Sequence, residues 1–441
     1  MHPKIFLNRN TILITLFLTA MVLRIGLNVA RQELFFRTPF VTTVYRADGR
    51  TSCDAVWYIC AAKAFLDGKG VMSRDKRITA SNPEAHFPGY VKWKKIDENY
   101  FVHKLVPPLY SLFLACCFFV GGFNTLAYFI PQIILSSLMC LFVYFIAEEI
   151  FNKMTALFAS FIMVFNLDLI FWASFARTET LFIFLLGLGF WLLIKGNSRK
   201  NLFLIYVSAV IFGLACLTRI TITPFMPILF IWQVFSFSEN RKEGLKIALV
   251  MALIIFAVLL PWGIRNYIVF GEFTVLSDES GILFGSIENG EQYAGVNIDK
   301  GYETYDFLGL KILVFIKDNF KEYFASCWHR FVIFWSPFTY VMRPWAKVYK
   351  GLMWFLIVPA SFFGMIISRK KWRKSAWLIV VFILYYTLLH SASFADLGLI
   401  YRYPILPFLC VFAGYAYNAV YGKLKMIIKN KGNQFESNLG T

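Results

Sequence analysis

Twelve blocks of apolar residues follow one another along this chain, separated by short polar connectors. A helix crosses a bilayer with about 20 predominantly apolar residues, and most of these blocks approach that length. The first, residues 11–30, is longer than the apolar region of a secretory signal, and many others follow it, so it reads as a retained anchor. Charge decides which blocks span. With twelve spans and the N-terminal Lys4 and Arg9 inside, the basic connectors at residues 195–200 and 239–242 both fall outside. That breaks the positive-inside rule twice. Setting aside residues 105–122 and 323–341, as helices lying in or dipping into the outer interface, puts every basic connector inside. Both segments carry groups suited to an interface: Pro107 and Pro108 in one, His329, Arg330 and Pro337 in the other.

The prediction is an all-α polytopic membrane protein of about 10 transmembrane helices plus two extracytoplasmic interfacial helical regions. The spans are residues 11–30, 124–147, 154–173, 178–194, 201–217, 220–235, 245–262, 351–367, 375–391 and 403–420. Both termini are then cytoplasmic, as expected of a multi-pass protein in a bacterial inner membrane. Residues 1–262 form an N-terminal transmembrane module with a first extracytoplasmic loop at 31–123. Residues 263–350 form a second such loop with its interfacial helix, and residues 351–441 hold the last helices and a cytoplasmic tail. Long loops in an otherwise compact membrane protein are where function is expected.

Composition agrees with this picture. The 441 residues are 58% hydrophobic and 19% aromatic, against about 45–50% apolar in soluble domains. The net charge of +18 is split among connectors rather than gathered in one stripe, so it does not describe a nucleic-acid surface. Most of the eight Cys lie in apolar blocks, where Cys acts as a small hydrophobe. Cys53 and Cys60 lie in a loop. On a helix they would be about 10 Å apart along the axis, too far for a disulfide. No Cys/His cluster has zinc-site spacing. There is no internal repeat or pair of matching half-chains, which weighs against a secondary transporter. There is no glycosylation sequon either, a hint against a glycosylated eukaryotic surface protein.

Four short runs carry candidate chemistry. In residues 51–70, Thr51 and Asp54 make a capping-box-like start. Trp57, Tyr58, Ala61, Ala62 and Phe65 then recur at helical spacing, and Asp67-Gly68 with Gly70 stops the helix. Asp54 in that first turn reads equally as a carboxylate serving the helix dipole or as a reactive group. His103-Lys104 and Pro107-Pro108-Leu109-Tyr110 open the first interfacial helix, where a stop-and-turn would look the same. Pro261-Trp262 with Arg265-Asn266-Tyr267, and Tyr401-Arg402-Tyr403-Pro404, read singly as interfacial anchors. Arg219, and Arg177 with Glu179, also fall on the outer face. Together these put Arg177, Arg219, Arg265, Arg402 and Lys104 on the side that should be poor in cations. Arginine suits bidentate phosphate binding, so a lipid phosphate at the outer leaflet accounts for them. Asp54 beside it could take a proton from a hydroxyl.

In this order the motifs resemble those of the GT-C superfamily of membrane glycosyltransferases. The nearest likeness is to the bacterial branch related to protein O-mannosyltransferases and to the aminoarabinose transferase of lipid A. Asp54 with Tyr58, the run from Ala61 to Gly70, and Pro107-Pro108-Leu109-Tyr110 carry the first part of the resemblance. Residues 261–267, Ser280-Gly281 and residues 402–407 carry the rest, so it spans nearly the whole chain. The resemblance implies transfer of a sugar from a polyprenyl-phosphate donor, with inversion, to a glycan, lipid or protein acceptor. It implies Asp54 as base, and Arg265, Arg402, Arg219, His103 and Lys104 around the donor phosphate. Tyr58, Arg177, Glu179, Asn266 and Tyr403 support them. No metal is required by that chemistry, and a divalent cation at Asp54 stays open. The chain departs from the pattern at two places. Ala55 follows Asp54 where relatives of the aminoarabinose transferase often carry an acid, and Lys104 lies three residues before Pro107 rather than directly before it. Two other classes stand beside this one: a transporter or flippase of lipid-linked sugars, and a non-catalytic membrane scaffold.

Overall fold

The structure is a computed structural model and describes residues 8–31, 53–75, 93–96, 100–104, 106–237, 240–275, 316–338, 344–372, 374–393 and 399–439. Its elements in order are α1 (Arg9–Arg31), α2 (Cys53–Leu66), β1 (Ser73–Asp75), β2 (Trp93–Lys95), β3 (Tyr100–His103), α3 (Leu109–Gly121), α4 (Thr125–Ile150), α5 (Lys153–Val164), α6 (Leu167–Trp172), α7 (Thr178–Ser198) and α8 (Leu202–Cys216). A 3₁₀ turn (Ile220–Phe225) leads into α9 (Met226–Ser236), followed by α10 (Arg241–Phe270), α11 (Phe320–Trp335), α12 (Pro344–Ser368) and α13 (Lys374–Ser393). A further 3₁₀ turn (Arg369–Lys371) lies between α12 and α13, and a third 3₁₀ segment (Leu399–Ile405) enters α14 (Leu406–Leu439).

Asparagine marks where these helices begin. Asn124, Asn152, Asn166, Asn201 and Asn240 each accept a hydrogen bond from the backbone N–H three residues on. Each thereby satisfies one of the donors that a helix start leaves without a partner. At the other end of α10, Gly271 takes the left-handed conformation, φ +75°, that closes the helix.

Among the described residues, seven helices are long and apolar enough to cross a membrane. They correspond to the predicted spans at 11–30, 124–147, 178–194, 245–262, 351–367, 375–391 and 403–420. The other three predicted spans are built differently. Residues 154–173 divide at Phe165 and Asn166, because Asn166 caps a new helix there, giving α5 and the six-residue α6. The span at 201–217 is the 15-residue α8, about 22 Å long at 1.5 Å per residue. The span at 220–235 begins as a 3₁₀ turn containing Pro224 before α9 takes over. The two segments set aside from spanning are the short helices α3 and α11.

Lipid tails are as apolar as leucine, so packing rather than water exclusion must hold such a bundle. Small residues let helices approach closely. A Cβ on Gly414 of α14 would stand 2.6 Å from the Ala159 backbone nitrogen and 2.7 Å from the Thr155 carbonyl oxygen of α5. Gly364 of α12 lies similarly against the Phe412 carbonyl. Deeper in, Phe190 touches Phe212, Phe382 and Phe408, with ring centroids 5.3, 4.9 and 4.8 Å apart.

The first loop also contains a small antiparallel sheet in the order β1-β3-β2, pairing Ser73 with Val102 and Trp93 with His103. These strands of three or four residues are too short to leave a periodic signal in sequence. Alternation of direction brings the sheet, α2, α3 and α11 to one end of the bundle. There Leu109 N–H bonds the Leu217 carbonyl at 2.9 Å, and Tyr323 Oη bonds the Ala392 carbonyl at 3.0 Å.

Candidate functional site

The loop-bearing end carries three groups of charged side chains. The innermost is Arg219, placed between α8 and the first 3₁₀ turn. Its Nη1 donates to Glu179 Oε1 at 2.9 Å and to Thr178 Oγ1 at 3.1 Å. The two side chains are only 11% and 7% exposed, so this is a buried charge pair. Glu179 stands in the first turn of α7, where the helix dipole favours an anion. Arg177, the residue before α7, lies over the Trp172 ring at 4.9 Å, and Tyr403 meets the same ring at 5.8 Å.

Aromatic residues surround this pair. Thr221, two residues past Arg219, meets Tyr386 Oη at 3.3 Å through its hydroxyl and receives Tyr385 Oη on its carbonyl at 2.6 Å. His390 follows one turn after Tyr386, with ring centroids 4.5 Å apart, and lies 4.9 Å from Tyr401 and 5.9 Å from Phe334 of α11. On the other side, Tyr110 of α3 is fully buried and donates to Gln132 Oε1 at 3.0 Å. Gln132 in turn donates to the Phe175 carbonyl at 3.0 Å. Burial, with the nearby Tyr128 and Glu179, holds the Tyr110 hydroxyl well above the usual phenol range, so it stays a donor. Tyr58 of α2 meets Tyr110 edge-on at 5.0 Å.

That contact packs the helix of Asp54 against α3. Asp54 sits in the first turn of α2, one turn before Tyr58. The Asp54 side chain lies outside the described residues, as do Thr51 and Ser280-Gly281.

A second group forms where α10 leaves the bundle. Lys104 Nζ bonds Glu272 Oε2 at 2.8 Å, with side-chain exposures of 6% and 44%. Arg265 donates to Asn266 Oδ1 at 2.9 Å and to the Val71 carbonyl at 2.7 Å. Both cations face the Phe270 ring, at 5.8 and 5.3 Å, and Arg265 also covers Trp262 at 4.7 Å. Asn266 is buried and donates to the Thr274 carbonyl at 2.8 Å. His103 lies fully buried beside Trp57 at 5.5 Å.

Arg402 forms the third group by itself. Its Nη1 donates to the carbonyls of Phe334 and Ser336, both at 3.0 Å. It therefore satisfies the C-terminal carbonyls of α11 and holds that helix against the entry to α14.

The predicted cations thus share one end of the bundle but not one cluster. Arg219 goes with Glu179, Arg177 and Tyr403 share the Trp172 ring, and Lys104 goes with Arg265 and Asn266. Arg402 is engaged by α11. Three residues escaped sequence reasoning. His390 has no local motif and becomes visible only when α13 packs under α11. Asp168 bonds Lys350 at 3.3 Å, and Arg24 lies fully buried in α1. Both carried a signal in sequence, a charge inside a predicted span. Among the described residues, no group of three or more His, Cys, Asp or Glu is arranged to hold a metal ion.

Residues 105–262 match the family described as dolichyl-phosphate-mannose-protein mannosyltransferase, a stretch running from the start of α3 into α10. No curated protein sequence matches the chain. Among solved structures, it is similar to the oligosaccharyltransferase AglB of Archaeoglobus fulgidus, in complex with an inhibitory peptide and a dolichol-phosphate. The TM-score is 0.57 and the identity 13%, over 96% of this chain and 51% of that one. The ArnT protein of Cupriavidus metallidurans is also matched. In the apo state the TM-score is 0.49 and the identity 13%, covering 84% of this chain and 56% of that one. Bound to undecaprenyl phosphate, the values are 0.48 and 15%, covering 85% and 58%. The chain spans about half the length of the solved structures it matches.

Proposed function

Because the chain has the fold of the GT-C membrane glycosyltransferases, we propose that it transfers a sugar from a polyprenyl-phosphate donor to an acceptor hydroxyl at the extracytoplasmic face. The observation that carries this reading is the buried Arg219–Glu179 pair, at the same end of the bundle where Tyr58, on the helix that bears Asp54, packs against Tyr110.

The acceptor oxygen attacks the anomeric carbon as the bond from that carbon to the phosphate oxygen breaks, with inversion. Asp54 takes the acceptor proton, and the polyprenyl phosphate leaves with the electron pair. Charge develops on the phosphate, so guanidinium groups already fixed in position stabilise the transition state more than the ground state. Arg219 is fixed in this way by Glu179, whereas Arg265, tied to the Val71 carbonyl of the first loop, binds the donor phosphate as that loop closes. Arg402 acts by keeping α11 over the site. The acceptor is a glycan, lipid or protein hydroxyl. A monophosphate leaving group held by arginines needs no metal; loss of transfer on chelation, restored by a divalent cation, would place one at Asp54.

The test is transfer from a polyprenyl-phosphate sugar by Asp54→Asn and Asp54→Ala in purified full-length protein. Loss of a general base lowers kcat by about 10²–10⁴-fold. Full transfer by both variants removes Asp54 from the mechanism.

A further inference from the structure

Gln132 lies inside the apolar helix α4 and is fully buried. A polar side chain in that position is costly unless its donors and acceptor are met. Here its oxygen and both amide hydrogens are engaged. Oε1 accepts from Tyr110 Oη at 3.0 Å, and Nε2 donates to the Ala173 carbonyl at 3.3 Å and the Phe175 carbonyl at 3.0 Å. The partners fix which way the amide faces. A carbonyl only accepts, so the amide nitrogen must face Ala173 and Phe175, and the Tyr110 hydroxyl must donate to the oxygen.

Both carbonyls belong to the turn that joins α6 to α7. Ala173 is the C-cap of α6, where a helix leaves carbonyls without partners. Other bonds in this turn are local: Ser174 Oγ to the Phe171 carbonyl at 2.7 Å, and Phe175 N–H to the Trp172 carbonyl at 3.2 Å. Gln132 ties the turn to a second helix. A cap for α6 needs only the Ala173 bond. The Phe175 bond reaches past the helix end, to a carbonyl that also receives the Arg177 N–H at 2.8 Å. Arg177 is the N-cap residue of α7, in extended backbone, and its half-buried guanidinium lies over the Trp172 ring at 4.9 Å. One carbonyl thus links the Gln132 amide to the backbone of this arginine.

We propose that Gln132 is a positioning residue for Arg177. By holding the turn at residues 173–177 it fixes where that guanidinium stands, and so presents it to an anionic group of the substrate. A cation already held in place stabilises developing charge better than one that must reorient. Tyr110, which Tyr58 of α2 meets edge-on, keeps the amide turned toward the carbonyls.

The substrate part rests on the transfer reading above; the hold on the turn does not, and the experiment separates the two. Hydrogen exchange is measured on the full-length protein in lipid nanodiscs. In Gln132→Met, exchange across residues 173–178 should accelerate about tenfold or more, while α8 and α13 stay protected. Tyr110→Phe should accelerate the same segment less. Unchanged exchange in both variants overturns the proposal whatever the protein catalyses. In transfer from a polyprenyl-phosphate sugar, Gln132→Met should lower kcat/KM for the donor about tenfold, the size of one or two lost hydrogen bonds, with acceptor KM unchanged. In an Arg177→Met background it should lower transfer no further. A full tenfold loss in that background, or accelerated exchange with wild-type donor kinetics, overturns the positioning role and leaves Gln132 as a cap for α6. If Gln132→Met does not fold, Tyr110→Phe, alone and combined with Arg177→Met, decides by the same readouts. A wild-type protein that transfers no sugar counts against the transfer reading, while exchange still decides whether Gln132 holds the turn.

Discussion

Replacing Arg219 with Met removes the cation from a pair whose side chains are 11% and 7% exposed, and leaves the Glu179 carboxylate buried without its partner. Screening by solvent is slight at that burial, so the discount applied to surface ion pairs is small. Breaking a buried pair from one side costs about 3–5 kcal/mol. The bond from Nη1 to Thr178 Oγ1 goes as well, so the upper half of that range is expected. Glu179→Gln keeps an oxygen in place but removes the charge, and should cost less, about 2 kcal/mol. The double variant, Arg219→Met with Glu179→Gln, should be more stable than the sum of the singles by about 2 kcal/mol, because neither group is then left as an uncompensated charge. Denaturant titration of the purified protein in one detergent measures all three. Transfer should respond differently. If Arg219 also faces the leaving phosphate, its loss lowers kcat by about 10²–10³-fold, and the double variant recovers none of that. Strict additivity in stability would mean the pair is not coupled. Recovery of transfer in the double variant would mean that Arg219 serves only Glu179.

Two further outcomes follow from the packing. Arg402→Ala removes both carbonyl bonds that hold the end of α11, so hydrogen exchange in residues 320–335 should accelerate at least tenfold, corresponding to about 1.4 kcal/mol or more of lost local stability, while α4 and α7 stay protected; unchanged exchange would show that α11 is held by other contacts. Gly414→Ala sets a methyl group against backbone atoms of α5 at 2.6 and 2.7 Å, which neither helix can relieve without shifting, so a loss of about 1–3 kcal/mol is expected, and a wild-type melting temperature would refute the close approach of α5 and α14.

Much of the bundle was legible because membrane helices announce themselves by length and apolarity, and this chain adds Asn at five helix starts. The same logic failed at residues 154–173. Hydropathy is high on both sides, and only Asn166 with Asp168 marks the break between α5 and α6. Two polar residues inside an apolar run read as tolerated rather than as a helix start. The sheet of the first loop was illegible for the opposite reason: its strands are too short for any period to accumulate. The candidate site was legible in part. A surplus of arginines on one face is an arithmetic fact about connectors, and Arg177, Arg219, Arg265 and Arg402 do gather at one end of the bundle. It could not say that Arg402 is occupied by the carbonyls of Phe334 and Ser336, since that depends on α11 crossing the entry to α14. Nor could it find His390, which joins the site through three ring contacts from separate elements.

The charges that were hardest to read are the ones that tie the site to the bundle. Arg265 and Lys104 sit where α10 emerges, and their contacts run to Val71 in the turn before β1, to Glu272 and to the end of α10 itself. Arg219, Glu179, Asp168 and Arg24 lie further in, and their partners are on α1, α4, α7 and α12. A group on the loops can move with the loops. A group bonded between packed helices cannot, because small shifts there meet close-packed neighbours. A phosphate held by both sets would have one fixed side and one adjustable side. That arrangement allows the fixed side to set the line of attack at the anomeric carbon while the loop side closes after the donor has entered. It also predicts where substitutions separate kinetically: changes at Arg219 should fall on kcat, and changes at Arg265 on the KM for donor. An Arg265→Ala variant whose defect lies wholly in kcat would contradict that division.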